Sequence, residues 1–517
     1  MNKIFSAEQM RQLDQTTIVE SNISSWQLME RASQELSLQI AALWFLSTKI
    51  TIVAGPGNNG GDALAVARML QGFGFEVTTY LLNFKQCLSQ DCMRNKQLLL
   101  DNEKSVFHEI TTPAELPETF NDADLIIDGL FGTGLNKPLT EGYALCVSKI
   151  NEARAKVLSI DMPSGLMSDG ACDTLTLSIV RADYTYTFQH YKLSLLLDST
   201  AIYAGQVNVL PIGLSAIKTQ QLTTPYYALT PECVNQLIRP RPQVSHKGTF
   251  GHALLIAGQY GMAGAAILAS KACLRSGVGK LTIHTPSKNN DILQISVPEA
   301  ILSHDISETH FTQCPESLNG YQSVGVGPGL GLDPLTESAF IQVLQQYRKP
   351  IVVDADALNI LARHPELMQH LPQGSILTPH VGELKRLGCT SHHSYEQLQF
   401  ALALSKTYNV YVVLKGHHSA ICMPSGEVYF NVTGNSGLAT AGSGDVLAGI
   451  LTSLLAQGYS SSDACRLGVC LHGVAADCIV KQGSEDSLVS SDIIDYLPQA
   501  INQIRNLITN NGFYQTI

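Results

Sequence analysis

The run NVTGNSGLATAGSGDVLAG, from Asn431 to Gly449, holds most of the argument about fold. Ala441-Gly442-Ser443-Gly444-Asp445 stands directly before a long apolar stretch, Val446 to Ala456. That order predicts a glycine turn feeding a buried helix. Successive backbone N–H groups at such a helix start form an anion hole for a phosphoryl group in transfer. The Asp445 carboxylate stands where it can take a proton from an attacking hydroxyl. A helix cap is the competing role for Asp445.

Outward from this run, short β-type segments alternate with helical ones: Ala253–Ala257, Lys280–Thr285, Ser323–Val326, Ile351–Asp354, Ser375–Thr378 and Val410–Lys415. The same rhythm fills the first half, at Ile50–Ala54, Val77–Leu82, Leu125–Asp128 and Val157–Asp161. It predicts an α/β class with largely parallel sheets, which bind ligands at the carboxyl ends of their strands. The 517 residues suit two domains. Pro-rich sequence between Pro211 and Lys247, including RPRP, suggests a join near residue 225, giving domains 1–224 and 225–517.

In the first half, Gly55-Pro-Gly-Asn-Asn-Gly-Gly-Asp62 follows a strand and precedes a helix. That order makes a phosphate cradle; a tight turn capped by Asp62 is the alternative. Two further strand ends carry carboxylates, DGLFGTG from Asp128 and DMPSG from Asp161. In a parallel sheet the three loops share one edge. Asn59, Asp128 and Ser164 would then offer oxygen ligands to a hard cation, leaving Asp161 for proton transfer.

GNNGGD, DGLFGTGL and DMPSG, in this order, resemble the epimerase domain of bacterial bifunctional NAD(P)H-hydrate repair enzymes. The resemblance implies a Rossmann-like α/β/α sandwich that interconverts the R and S hydrates at C6 of the nicotinamide ring. It implies hydrate contacts at Asn58, Asn59, Gly60, Gly61 and Asp62, at Gly132, Thr133, Gly134, Leu135, Asn136, Lys137 and Pro138, and at Asp161. It also implies potassium at Asn59, Asp128 and Ser164. Ala63 departs from the usual pattern, which has Gly there.

The second half resembles the ribokinase-like superfamily. Within it HKGTFGHALLIAG, GPGLG, LTPHVGE, KGHHS and the 431–449 run are similar to ADP-dependent NAD(P)H-hydrate dehydratases. This implies nucleotide contacts at Lys415, Gly416, His417, His418, Ser419 and Gly444. It implies hydrate contacts at Ala265, Gly327, His380 and Asp445, with magnesium and ADP as cofactor and co-substrate. A metal site on the adjacent His417 and His418 is not expected, since neighbouring side chains in a strand-end loop diverge and no third ligand is near. The rival readings are a small-molecule kinase with a fused regulatory domain, and an N-terminal domain that only binds a dinucleotide or a partner.

Bulk properties set limits. A net charge of −11 argues against nucleic acid as a partner. The 12 cysteines show no C-x-x-C pair, so reduced thiols and a cytoplasmic setting are expected. The first 17 residues lack the apolar core of a signal peptide, and no run reaches membrane-spanning length. The substrates expected are NADHX, NADPHX and ADP, handled by a homo-oligomer.

Overall fold

The computed structural model describes residues 2–102, 105–170 and 177–512. Packing divides the chain between Thr224 and Pro225 into two compact units. The Arg239–Pro242 segment lies inside the second unit, so the Pro-rich run that suggested the join is not itself the join.

The first unit is built on a seven-stranded, all-parallel sheet. Its spatial order is Val106–Ile110, Glu76–Leu82, Lys49–Ala54, Leu125–Gly129, Lys156–Ile160, Tyr184–Phe188, Gln206–Leu210. The chain therefore starts in the interior, moves to one edge, then returns and fills the other side. The order reverses between Lys49–Ala54 and Leu125–Gly129, and ligands of such sheets bind at that switch point. Ile50, Ile52, Val53, Leu125, Ile126 and Ile127 are buried, so these strands are apolar on both faces.

The second unit repeats that winding. Parallel strands run in the order Ile301–His304, Lys280–Thr285, His252–Ile256, Ser323–Val326, Ile351–Val353, Ile376–Leu377, Tyr411–Leu414. An antiparallel hairpin, Ala420–Cys422 and Val428–Asn431, extends the sheet. The helix Ser443–Ala456 lies in the core, and every residue from Val446 to Ala456 is buried. It packs against Ala263–Arg275, where Gly449 lets the backbones meet: a Cβ there would stand 2.1 Å from the Ala269 carbonyl oxygen.

The ten strands expected from sequence are all present, with ends shifted by at most a residue. Eight more escaped notice: Asn2–Lys3, Val106–Ile110, Tyr184–Phe188, Gln206–Leu210, Tyr226–Leu229, Ile301–His304, Ala420–Cys422 and Val428–Asn431. Several are part-exposed, such as Val106–Ile110 and Gln206–Leu210, so they lack the continuous apolar run that marks a buried parallel strand. No helix among the described residues is long and apolar enough to cross a membrane.

Candidate active sites

In the first unit, the helix Asn58–Phe73 begins on Gly57, with no side-chain cap. Asp62 sits one turn inside that helix, so the cap role considered for it does not hold. The turn is glycine-dependent for a steric reason: a Cβ on Gly60 would fall 1.7 Å from the Gly55 carbonyl oxygen. The helix start and the loops after four strands enclose a cavity of about 400 Å³. Asn58, Asn59, Asp62, Gly132, Thr133, Gly134, Leu135 and Asp161 line it. Gly60 and Gly61 are buried beneath the turn, while Asn136, Lys137 and Pro138 are exposed beyond the cavity.

Asp161 follows its strand directly and holds a left-handed backbone, φ +64. Lys192 Nζ, from the loop after Tyr184–Phe188, donates to Asp161 Oδ1 across 2.6 Å. The Thr133 amide donates to Oδ2 at 2.9 Å, and the Thr133 hydroxyl donates to the same oxygen. Burial pushes this carboxyl up, but the Lys192 ammonium and these hydrogen bonds outweigh it and hold Asp161 below its usual range. Two other carboxyls face the same cavity. Burial and the Asp161 charge raise Asp14, on the helix Ala7–Glu20, to about 6, and they push Asp62 well above its ordinary value.

The three proposed potassium ligands fall in two places. Asp128 and Ser164 meet: the Ser164 hydroxyl donates to Asp128 Oδ1 at 2.5 Å and its amide to Oδ2 at 2.9 Å. Ser159 donates to Oδ2 at 2.8 Å. The Asn59 side chain instead points at Gly132 and Asp161, where a Cβ on Gly132 would stand 2.8 Å from Asn59 Oδ1 and 2.9 Å from Asp161 Oδ2. Asn59 Nδ2 is buried without a hydrogen-bond partner.

In the second unit, a cavity of about 510 Å³ opens at the carboxyl ends of the strands. Asp445 occupies the first turn of Ser443–Ala456, whose cap residue Gly442 has φ +87 and makes no side-chain cap bond. The carboxylate is therefore not serving as the cap. Burial and the nearby Asp354 charge raise Asp445 to about 7, against the opposing pull of Lys415. Lys415 Nζ lies 2.9 Å from Asp354 Oδ1 and 3.7 Å from Glu383 Oε2. A Cβ on Gly444 would stand 3.3 Å from the Lys415 ammonium, so this lysine faces the helix start. The Thr378 hydroxyl donates to Asp354 Oδ1 at 2.7 Å.

Gly416, His417, Ser419, Gly444 and His380 also line this cavity. His380 Nδ1 accepts the Gly382 amide at 2.9 Å, which leaves Nε2 on the outer side of the ring. His418 is turned away; its Nδ1 lies 3.2 Å from the Asn431 carbonyl oxygen, and burial lowers it to about 4. Gly327 sits under the site at φ +128, where a Cβ would overlap the Asp354 carbonyl oxygen at 1.8 Å. Ala265 lies beside Gly329, on the neighbouring loop. Neither lines the cavity.

Sequence reasoning did not single out Asp14, Lys192, Asp354, Glu383 or the buried His472 as site residues. Asp354 and Glu383 stood in plain view within strand-end loops. Lys192 follows a strand that was not recognised, and Asp14 comes from a helix far earlier in the chain.

Two doubly wound units, each with a polar cavity at its strand ends and one with an uncapped helix start facing it, fit a two-site enzyme acting on nucleotides. Residues 253–499 match the family model described as NAD(P)H-hydrate dehydratase, and residues 25–194 match that of the YjeF-related protein N-terminus. The bifunctional NAD(P)H-hydrate repair enzyme of Thermofilum pendens is 33% identical over 515 residues, covering 97% of each chain. That of Moorella thermoacetica is 34% identical over 530 residues, again covering 97% of each. The crystal structure of the ADP/ATP-dependent NAD(P)H-hydrate dehydratase of Bacillus subtilis, with ATP and Mg2+, is 30% identical. It covers 54% of this chain and 98% of its own, with a TM-score of 0.48. The chain belongs to the family of bifunctional NAD(P)H-hydrate repair enzymes.

Proposed function

We propose that this enzyme repairs hydrated NADH and NADPH. The unit Lys3–Thr224 epimerises the hydrate at C6, and the unit from Pro225 onward dehydrates the S form at the expense of ADP. The observation that carries the reading is Asp445: a carboxylate at an uncapped helix start, titrating near neutrality, beside the Lys415–Asp354 pair.

Hydroxide is a poor leaving group, and phosphorylation solves that problem. Asp445 accepts the proton of the C6 hydroxyl as its oxygen attacks the terminal phosphorus of ADP, and AMP departs. The backbone N–H groups at Ser443–Asp445 receive the charge on the phosphoryl oxygens, and Lys415 adds a fixed positive charge. Loss of a proton from C5 with departure of phosphate restores the ring double bond, so hydrate and ADP give dinucleotide, AMP and phosphate. The residues also fit magnesium, which keeps waters and takes phosphate oxygens with one or two carboxylates. Asp354 and Glu383 would hold it, and it would supply further charge neutralisation.

In the first unit, Asp161 is held ionised with its oxygens occupied, which suits substrate binding better than proton transfer. We assign the proton to Asp14, which faces the same cavity with a pKa of about 6. Protonation of the C6 hydroxyl releases water with help from the ring nitrogen, and water returns to the other face. Potassium fits Asp128 and Ser164 for an electrostatic reason. The Asp128 carboxylate is wholly buried among oxygen ligands, and hydrogen bonds alone compensate it. The ion would supply the missing counter-charge, with Asn59, which points at Gly132 and Asp161, left out of the set.

A cytoplasmic setting agrees with the thiols, since every described cysteine is free. The decisive experiment incubates the protein with an R/S mixture of NADHX and with ADP. Regenerated NADH absorbs near-ultraviolet light, and AMP and phosphate should appear in equal amount. No NADH would refute the dehydratase; a persisting R form would refute the epimerase.

A further inference from the structure

A cavity of about 590 Å³ in the second unit lies apart from the ADP-site loops. The helix Ser443–Ala456 begins at the ADP-site cavity, and both it and the helix Ala263–Arg275 end at this one. Along Ser443–Ala456, Leu447 lines the ADP-site cavity and Leu454 lines this one, roughly 10 Å apart at about 1.5 Å per residue. Four arginines line it, Arg239, Arg241, Arg275 and Arg505, and none of its lining residues is acidic. That concentration of positive charge stands out in a chain of net charge −11.

The arginines are not all consumed by the fold. Arg239 Nη2 donates to the Gly458 carbonyl at 3.2 Å, and Arg241 Nη2 donates to the Gly277 carbonyl. Each guanidinium has five donors, so most remain free for a ligand. Neither Arg275 nor Arg505 has a side-chain ion pair among the described residues. Arg239 lies over the Tyr459 ring at 4.2 Å, and Arg241 over the Phe250 ring at 3.9 Å. Such stacked planes also receive a flat heterocycle. Leucines of the helices Ser443–Ala456 and Ser461–Val480 form an apolar floor. Volume, charge and flat surfaces together match a ring-bearing phosphate.

We infer that this arginine-lined cavity is a second nucleotide site, binding a nucleoside phosphate independently of the ADP site. The test is hydrogen exchange on the full-length protein with millimolar ATP, tripolyphosphate or adenosine as probe. ATP should slow exchange in peptides spanning 236–250, 272–278 and 455–460, in addition to those of the ADP site. Tripolyphosphate should protect less, and adenosine not at all. Arg275→Ala/Arg505→Ala should weaken protection at this cavity at least about tenfold in ATP concentration. Protection over 415–419 and 442–445 should persist, which also reports that the variant is folded. Protection by ATP confined to the ADP site would overturn the inference. Equal protection by tripolyphosphate and ATP would overturn the nucleoside part, and equal protection by adenosine would overturn recognition through charge.

Discussion

Lys192 is 1% exposed in its side chain and holds Asp161 at 2.6 Å, so one buried charge is answered by another inside the first cavity. Thr187 Oγ1 and the Phe188 carbonyl accept from the same ammonium at 2.7 Å and 3.1 Å. The pair fixes the carboxylate on a residue whose left-handed backbone already costs energy.

Removing one partner should therefore do more than remove a contact. Asp161→Asn leaves Lys192 buried beside a neutral amide, and Lys192→Met leaves Asp161 uncompensated. Each should cost about 3–5 kcal/mol of stability in the first unit. Each should also abolish epimerisation. The double variant Asp161→Asn/Lys192→Met should recover much of the stability and none of the activity. Calorimetric melting and an epimerisation assay on pure R hydrate measure the two separately.

Asp14 gives the first unit a pH signature. Its folded pKa, raised to about 6, keeps the proton on to higher pH than a free carboxyl would. As the acid, it should lose activity as pH rises through about 6. Asp14→Asn should abolish that descending limb along with most of the rate, by about 10²–10⁴. A wild-type rate flat from pH 5 to pH 8 would remove Asp14 from the mechanism.

Asp445→Asn should lower dehydration by about 10²–10⁴. ADP affinity should change little, because the amide keeps the shape of the carboxylate. Folding should not suffer either, since Asp445 makes no cap bond that the amide would lose.

The pH dependence of the second unit runs the other way. Asp445 must be ionised to accept a proton, so dehydration should rise through about pH 7. The stability contribution has the opposite slope. A carboxyl raised above its unfolded value stabilises the fold while protonated, and that contribution fades as pH rises through the folded pKa. Because the unfolded carboxyl has already lost its proton above about pH 4, the wild type should lose melting temperature relative to Asp445→Asn between about pH 4 and pH 7. Parallel melting curves across that range would contradict the assigned shift.

Potassium dependence should trace to Asp128. Replacing potassium by a bulky ammonium salt should slow epimerisation and leave dehydration unchanged. Asp128→Asn, which removes the buried charge, should abolish the response to the ion. Epimerase kinetics against potassium concentration, in wild type and variant, would show whether the carboxylate is the reason.

A cut between Thr224 and Pro225 should separate the activities. The fragment from Pro225 should consume S hydrate with ADP and stall on R hydrate, and adding the first fragment should restart it. Unassisted consumption of the R form at the full-length rate would reassign epimerisation.

What the sequence determined by itself is the chemistry that travels in short runs. A glycine turn between an apolar strand and a helix declares its own backbone shape, so the turn at Gly55–Asp62 and the 441–445 turn were legible with their neighbours. Strand-end carboxylates such as Asp128 and Asp161 were legible because a parallel sheet gathers its strand ends on one edge. Tertiary structure decided which polar groups share a cavity and what charge each carries. Whether Asp161 is a free base or a clamped anion depends on Lys192, which is 31 residues away in sequence and 2.6 Å away in space. Asp14 reaches neutral-range acidity only because helix Ala7–Glu20 buries it near Asp161. The arginines at 239, 241, 275 and 505 become a cavity only when two helices end together. Desolvation and Coulomb energy depend on distance through space, and local sequence carries no measure of that distance.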